Sequence, residues 1–130
     1  MEKIKLSVTL TAQPKDVYRA WLNSKEHTLF TGGEAKITNK VGKEFTAWDG
    51  YISGTNMELN EGKKIIQSWR TSEFSDHNAD SLLEIYFAEK DGKTVLTLEH
   101  SNIPKGDGNK YKDGWKNFYF KPMKKYFSGK

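Results

Sequence analysis

Three glycine-containing turn sequences divide the middle of the chain and constrain its fold more than any other feature. Asp49-Gly50 and Asp91-Gly92 are pairs that tolerate positive φ, as a two-residue hairpin turn requires, and Asn60-Glu61-Gly62 supplies a third turn. Between the turns run short segments rich in apolar and β-branched residues, such as KIIQSWRT and KTVLTLEHS. Turns this short join neighbouring antiparallel strands, so the sequence predicts a meander between Ala35 and Ser101.

The segment after Asp49-Gly50 leaves its register open. Gly54 interrupts it and predicts a bulge or bend that lets the sheet curl. Strict alternation separates two sets that could each face the core: Ile52 and Asn56 on one side, and Tyr51, Ser53, Met57 and Leu59 on the other.

The N-terminal part predicts one strand followed by two short helices. Apolar residues alternate with polar ones from Ile4 to Leu10, which is typical of a half-buried strand. Pro14 suits the first turn of a helix, and the stripe that this helix buries consists of Val17, Ala20 and Trp21. Ser24 is the expected cap of a second helix, with His27 at the Glu position of a capping box, and Gly32-Gly33 ends it.

The C-terminal part predicts one long amphipathic helix with a kink. Pro122 lies inside the helical pattern and removes the donor for the Phe118 carbonyl, so the kink is expected near that residue. The broad apolar face is formed by Tyr111, Trp115, Phe118, Tyr119, Met123, Tyr126 and Phe127.

These elements assemble in one way that buries both apolar faces. The sequence predicts a single α+β domain over residues 1–130, in which a curved antiparallel sheet of about six to seven strands packs around the C-terminal helix. The two short helices after the first strand close one end. There is no cysteine in 130 residues, which excludes disulfides, thiol catalysis and zinc–cysteine sites.

Three stretches resemble a known superfamily in the order in which they occur. TAQPKDVYRAWLNSKEH resembles the opening of the START/Bet v 1-like (SRPBCC) superfamily. FTAWDGYISGTNMELNEGKKIIQSWR resembles the central hairpins of its heat-shock-protein-90 ATPase activator homologue (AHSA-type) branch, with a Gly-x-Ile-x-Gly strand leading to Trp69-Arg70. LTLEHSNIP followed by GWKNFYFKPMKKYF is similar to the end of the same branch. The resemblance implies a helix-grip fold with a cavity between the sheet and the last helix.

The resemblance, together with the aromatic face of the last helix, implies a non-enzymatic, stress-related binding protein. We expect it to hold a small hydrophobic ligand, to contact a heat-shock ATPase chaperone, or both, and to need no cofactor. Polar side chains among aromatic ones could orient such a ligand. The residues expected to line the cavity are Trp48, Gln67, Trp69, His100, Tyr111, Trp115 and Tyr119.

An enzymatic alternative rests on His100. Some members of the superfamily are cyclases or dehydratases, and the resemblance then implies that His100 serves as general acid or base. A lone histidine is more commonly a hydrogen-bonded wall residue. The three histidines show no metal-binding spacing, so no metal site is expected.

Charge bears on the partners that the chain can have. Eight lysines and two aspartates follow position 104, and Lys116, Lys124 and Lys125 are candidates for a chaperone-binding surface on charge alone. Only two arginines occur, which disfavours nucleic-acid recognition. No signal peptide or membrane-length apolar run is present, so we expect a cytoplasmic protein without membrane insertion, and a monomer because edge lysines discourage strand pairing.

Overall fold

The architecture follows from a computed structural model, which describes residues 1–129. Within that range six strands form one curved antiparallel sheet in the order β1-β6-β5-β4-β3-β2, and two short helices follow the first strand, which confirms the predicted fold class. The elements are β1 (Glu2–Leu10), α1 (Pro14–Trp21), α2 (Ser24–Thr31), β2 (Glu44–Ala47), β3 (Ile52–Asn60), β4 (Lys64–Thr71), β5 (Ser81–Lys90), β6 (Lys93–Ile103), α3 (Gly108–Gly114), a π-helical segment (Trp115–Phe120; hereafter the π segment) and α4 (Lys121–Ser128).

The predicted turns connect the strands as expected. Asp49 and Gly50 have φ values of 58° and 90°, and the Tyr51 N–H donates to the Trp48 carbonyl across them at 3.0 Å. This is the geometry of a type I′ turn. Asp91 also has positive φ, 53°, and its turn joins β5 directly to β6.

The structure resolves the open register of β3. Ile52 and Asn56 face the core, whereas Met57 is exposed. The bulge lies between Asn56 and Glu58, where the pairing with β4 shifts, so the prediction of a bulge at Gly54 is wrong. Gly54 instead marks a close approach, because a Cβ there would overlap the backbone carbonyl oxygen of Ser68.

The second helix begins differently from the sequence prediction. The N-cap is Asn23, whose Oδ1 accepts a hydrogen bond from the Glu26 N–H at 2.9 Å. Ser24 is the first residue of α2, and its hydroxyl bonds the backbone of Ile37 instead. His27 therefore has no capping role and points into the core.

The C-terminal helix accommodates Pro122 through a change of helical type. The π segment precedes the proline, and the Lys121 N–H donates to the carbonyl of Lys116, five residues earlier. A π turn holds an extra residue, which rotates the side chains within it relative to an α-helix. Phe118, predicted to lie on the apolar face, is 59% exposed, and Phe120 is buried instead.

The core lies between the concave face of the sheet and the C-terminal helices. Alternate residues of β5 and β6, including Ile85 and Leu98, are fully buried in one hydrophobic cluster with Met123 and Phe127 of α4. Burial of each such side chain contributes about 1.5–3 kcal/mol, which makes this layer the main source of stability. The pocket described below lies at the other end of the long helix.

Candidate functional site

An aromatic pocket of about 340 Å³ lies between the β2–β3 turn and the helical residues 110–119. Its volume falls in the range of about 300–1,000 Å³ that is typical of small-molecule sites. Seven of its ten lining residues are aromatic. The lining consists of Trp48, Tyr51, Ile52, Trp69, Lys110, Tyr111, Gly114, Trp115, Phe118 and Tyr119.

The turn wall of the pocket depends on an unusual backbone at Trp48. This residue has a φ of 53°, a left-handed conformation that side chains of its size rarely adopt. Gly33 makes room for it, because a Cβ at Gly33 would lie 2.7 Å from Trp48 Cε3. The Trp48 ring in turn meets Phe118 edge-on, with 5.8 Å between ring centroids. Gly33 and the positive φ together hold Trp48 beside the helix.

The helical wall is formed by the π segment. Trp115 and Tyr119 pack against each other with 4.8 Å between centroids, and Trp69 of β4 lies 5.5 Å from Trp115 and 5.2 Å from Tyr111. The widened turn presents Trp115, Phe118 and Tyr119 to the same opening. Five of the seven predicted lining residues therefore meet in one pocket: Trp48, Trp69, Tyr111, Trp115 and Tyr119.

His100 lies behind the pocket wall and does not line it. Trp115 Nε1–H donates to His100 Nδ1 at 3.1 Å, so the proton of the ring is on Nε2, which donates to Ser81 Oγ at 2.7 Å. The Ser81 hydroxyl then donates to the Trp69 carbonyl at 2.6 Å. Burial lowers the pKa of His100 to about 3. Both ring nitrogens are thus engaged with the protein, and the ring is neutral at neutral pH.

Gln67 is the second predicted lining residue that the structure places elsewhere. Its Nε2 donates to Asn56 Oδ1 at 2.9 Å, and Asn56 Nδ2 donates to the carbonyls of Thr38 and Lys40. Both amides are buried. This network connects the loop before β2 to the sheet, so the Gln67 side chain supports the fold and is not available at the pocket surface.

His27 occupies an equivalent structural position that the sequence reasoning missed. Its Nδ1–H donates to the Trp21 carbonyl at 2.8 Å, and the Tyr119 hydroxyl donates to Nε2 at 2.9 Å. Burial lowers the pKa of His27 to about 4. Burial also raises the pKa of Tyr119, and a hydrogen bond with the Trp48 side chain lowers it by a smaller amount. The only sequence signal was a histidine placed next to an aromatic helix stripe.

The exposed polar groups of the pocket lie at its mouth. Lys110 Nζ lies 2.7 Å from Glu73 Oε1, and the Tyr51 hydroxyl donates to the same oxygen at 3.1 Å. Deeper inside, the hydroxyls of Tyr111 and Thr71 are 3.0 Å apart and satisfy each other. Within residues 1–129, no buried side-chain nitrogen or oxygen lacks a hydrogen-bond partner. The interior of the pocket therefore offers a ligand apolar surface and little else.

The lysines predicted as a partner surface lie apart from the pocket. Lys116, Lys124 and Lys125 are exposed, and none of them lines it. No cluster of three or more His, Asp or Glu side chains in the described part of the chain is placed to hold a metal ion. Between residues 1 and 129, no helix combines the length and the apolar composition that crossing a bilayer requires.

A helix-grip fold with an aromatic pocket at the long helix defines the class of this protein, and comparisons define the family. The sequence profile described as "Activator of Hsp90 ATPase homolog 1-like protein" matches residues 11–128. The chain belongs to this family.

Known proteins agree with this assignment. The "Activator of 90 kDa heat shock protein ATPase homolog" of Dictyostelium discoideum is 31% identical over 127 residues, and the homolog 1 protein of Homo sapiens is 28% identical over 125. Each alignment covers 96% of this chain but only 33% and 37% of the relative, so the chain spans about a third of their length. A crystal structure described as an HSP90 activator from Plasmodium falciparum superposes with a TM-score of 0.90 at 22% identity, covering 98% of this chain and 97% of that one, which shows the same fold.

Proposed function

We propose that this protein is a non-enzymatic binding module whose aromatic pocket holds a small apolar ligand. The observation that carries the proposal is the pocket itself, with seven aromatic residues of ten and a volume of about 340 Å³. Flat aromatic walls such as Trp69 and Trp115 favour planar or elongated apolar molecules, because these bury the most surface against them. A polar molecule would lose its hydrogen bonds to water without replacement in the interior.

The enzymatic alternative has less support. A general acid or base must reach the substrate with a free lone pair or an available proton. Both nitrogens of His100 are bonded to Trp115 and Ser81, and the ring does not reach the pocket. Catalysis by His100 would require this network to break first, so the binding function fits the geometry better.

Gly114 allows a sharp test of ligand binding. It lines the pocket in helical conformation, with a φ of −61°, and a Cβ there would meet no atom within 4 Å apart from its chain neighbours and the backbone of its own helix. Gly114→Leu should therefore fill the pocket without disturbing the core. Gly114→Ala is the matched control, because both changes favour the helix and only leucine reaches far into the space.

The experiment titrates an uncharged naphthylamine dye whose fluorescence rises in apolar surroundings. We expect the unchanged protein and Gly114→Ala to bind the dye, and Gly114→Leu to bind it at least about tenfold more weakly, since the ligand would lose most of its buried surface. Native mass spectrometry of freshly purified protein then tests whether a natural ligand is retained. If the dye binds none of the three proteins, or binds Gly114→Leu as well as the control, the pocket is not a ligand site.

A second candidate function is contact with a heat-shock chaperone. The observation that favours it is family membership, because relatives are described as activators of the 90 kDa heat-shock ATPase. We propose that the exposed lysines Lys116, Lys124 and Lys125 form the contact with an acidic surface of that chaperone. Charged groups at the rim of an interface act mainly on association rate and on salt dependence.

Charge reversal tests this surface. Lys116→Glu and Lys124→Glu should weaken binding to a purified 90 kDa heat-shock protein and reduce its dependence on salt. Lys93→Glu, on the exposed end of the β5–β6 hairpin, is the matched control with the same change of charge. Equal affinities for all variants would contradict the lysine surface and leave the ligand pocket untouched.

The domain organisation, the oligomeric state and the cellular location of the chain are also open to test. We propose that residues 1–130 are a single domain of the family that acts as a monomer in the cytoplasm. The continuous sheet and the family match over residues 11–128 support the single domain. Light scattering during size-exclusion chromatography tests the monomer, and a mass of twice 14.9 kDa would contradict it.

A further inference from the structure

The mouth of the aromatic pocket carries a carboxylate-binding arrangement that the protein fills with a side chain of its own. Lys110 Nζ and the Tyr51 hydroxyl converge on one oxygen, Glu73 Oε1, at 2.7 and 3.1 Å. Both hydrogen bonds are charge-assisted, and the one from the lysine is short. Glu73 thus occupies the position that the carboxylate of a bound molecule would take.

The two donors belong to the pocket, whereas the acceptor comes from outside it. Lys110 and Tyr51 both line the pocket, and Glu73 does not. Glu73 lies in the connection between β4 and β5, and 55% of its side chain is exposed to solvent. Exposed ion pairs of this kind are weak because water screens them, so a competing carboxylate can displace Glu73 easily.

The lysine would stay in place after such an exchange. Lys110 Nζ lies 4.9 Å from the centre of the Tyr111 ring, which attracts the cation, and 4.0 Å from Asp107 Oδ1. The hydrogen bond with Glu73 raises the pKa of Lys110 to about 12, so the group is charged at neutral pH. An incoming carboxylate would provide the same partner and would keep the ammonium group charged.

We propose that the pocket takes an amphipathic carboxylate, whose apolar body lies against the aromatic walls and whose carboxylate replaces Glu73 on Lys110 and Tyr51. This inference rests on the proposed ligand-binding function and adds the chemical class of the ligand. A ligand amine is the opposite case, because it would pair with Glu73 and be repelled by Lys110. The donors line the pocket and Glu73 does not, which favours the carboxylate.

Three ligands with the same ring system and different head groups test the inference. Naphthoic acid, naphthamide and naphthylmethylamine carry a carboxylate, a neutral amide and an ammonium group on one apolar body. Calorimetric titration near neutral pH should show the acid binding up to about fivefold more tightly than the amide, with the amine weakest, because an exposed charge pair adds only modestly to affinity. Displacement of the uncharged dye confirms that each compound occupies the pocket.

Variants at the mouth identify the groups responsible. Lys110→Met should remove the preference for the acid over the amide, and Glu73→Gln should strengthen binding of the acid severalfold because the competing charge is gone. Lys116→Met, on the same helix but outside the pocket, is the matched control and should keep the preference.

The outcomes separate this inference from the function on which it rests. If the dye binds and acid and amide bind equally, the pocket is a ligand site but the carboxylate inference is wrong. A preference for the amine would identify Glu73 as the recognising group and would also overturn it. If neither the dye nor any of the three compounds binds, the ligand-binding function and the carboxylate inference both fail.

Discussion

The two buried histidines hold the π segment through opposite ring nitrogens. His27, from α2, accepts from the Tyr119 hydroxyl at Nε2, whereas His100, from β6, accepts from the Trp115 indole at Nδ1. The remaining nitrogen donates to the Trp21 carbonyl in the first case and to a serine hydroxyl in the second. Trp115 and Tyr119 are neighbours on the segment, with 4.8 Å between ring centroids.

This difference shows how histidines on two sides of a pocket can each accept a hydrogen bond from an aromatic residue of its wall. A neutral imidazole has one donor and one acceptor, so it can connect an aromatic N–H or O–H to a backbone or side-chain oxygen. Each histidine fixes a lining aromatic from behind and leaves only its ring face or edge toward the ligand space. The polar atoms of Tyr119 and Trp115 are satisfied in this way, which keeps the pocket apolar.

The largest expected effect is loss of stability in acid. The pKa values of His27 and His100 in the folded protein are about 4 and about 3, compared with 6.5 for a free histidine. Their contribution to the free energy of unfolding is complete above pH 6.5 and is lost as the pH falls towards these values, because the unfolded chain binds the protons more tightly. At 1.36 kcal/mol per pKa unit, each histidine contributes on the order of a few kcal/mol over that pH range.

Urea unfolding followed by tryptophan fluorescence at a series of pH values checks this. The midpoint should fall steadily below pH 6.5. A midpoint that stays constant down to pH 4 would mean that the histidines are not buried as described, and His27→Gln and His100→Gln would show how each contributes.

An intermediate effect is expected when one histidine loses its partner on the π segment. Tyr119→Phe removes the donor to His27 Nε2 and leaves a buried acceptor unpaired, which should cost about 1–3 kcal/mol of unfolding free energy. The pKa of His27 should also rise, because that bond stabilises the neutral ring. Tyr86→Phe on the outer face of the sheet is the matched control, since the hydroxyl there bonds to Glu84 in a half-exposed position. Chemical denaturation and histidine NMR titration measure the two quantities, and equal costs for both variants would contradict the bridging role.

The last prediction requires no substitution and concerns the tautomers of His27 and His100 in the unchanged protein. Long-range proton–nitrogen NMR should show His27 protonated at Nδ1 and His100 protonated at Nε2 at neutral pH, because each is dictated by its partners. Exposed His77 serves as the internal reference for an averaging ring. If both buried histidines had the same tautomer, they could not hold the π segment through opposite ring nitrogens as described.

The sequence predicted the elements well where the signal was local. The turns at Asp49-Gly50 and Asp91-Gly92 formed because those pairs accept positive φ, and the stripe on α1 is buried as its spacing indicated. The predictions of a bulge at Gly54 and of a helix cap at Ser24 were wrong, because a neighbouring residue decided the outcome. Position 54 requires a glycine because the carbonyl oxygen of Ser68 leaves no room for a Cβ. At the second helix, Asn23 rather than Ser24 is the N-cap.

The candidate site was predicted in part. Five of the seven predicted residues line one pocket, because an aromatic residue on an inward face contacts the space between sheet and helix. The predicted site lacked five lining residues, whose positions depend on the β2–β3 turn and on the course of the C-terminal helix, which periodicity does not reveal: Tyr51, Ile52, Lys110, Gly114 and Phe118. Gln67 and His100 are buried but lie outside the pocket lining, and their polar atoms bond Asn56, Ser81 and Trp115.

By itself, the sequence determined the order of strands and helices, the curved sheet around a long helix and the aromatic character of the inner surface. These follow from turn chemistry and from hydrophobic periodicity, which act over a few residues. Only the tertiary structure decided which inward polar groups form hydrogen bonds within the protein and which polar groups lie at the pocket mouth. The reason is that hydrogen bonds such as Trp115 to His100 and Lys110 to Glu73 join residues 15 and 37 positions apart.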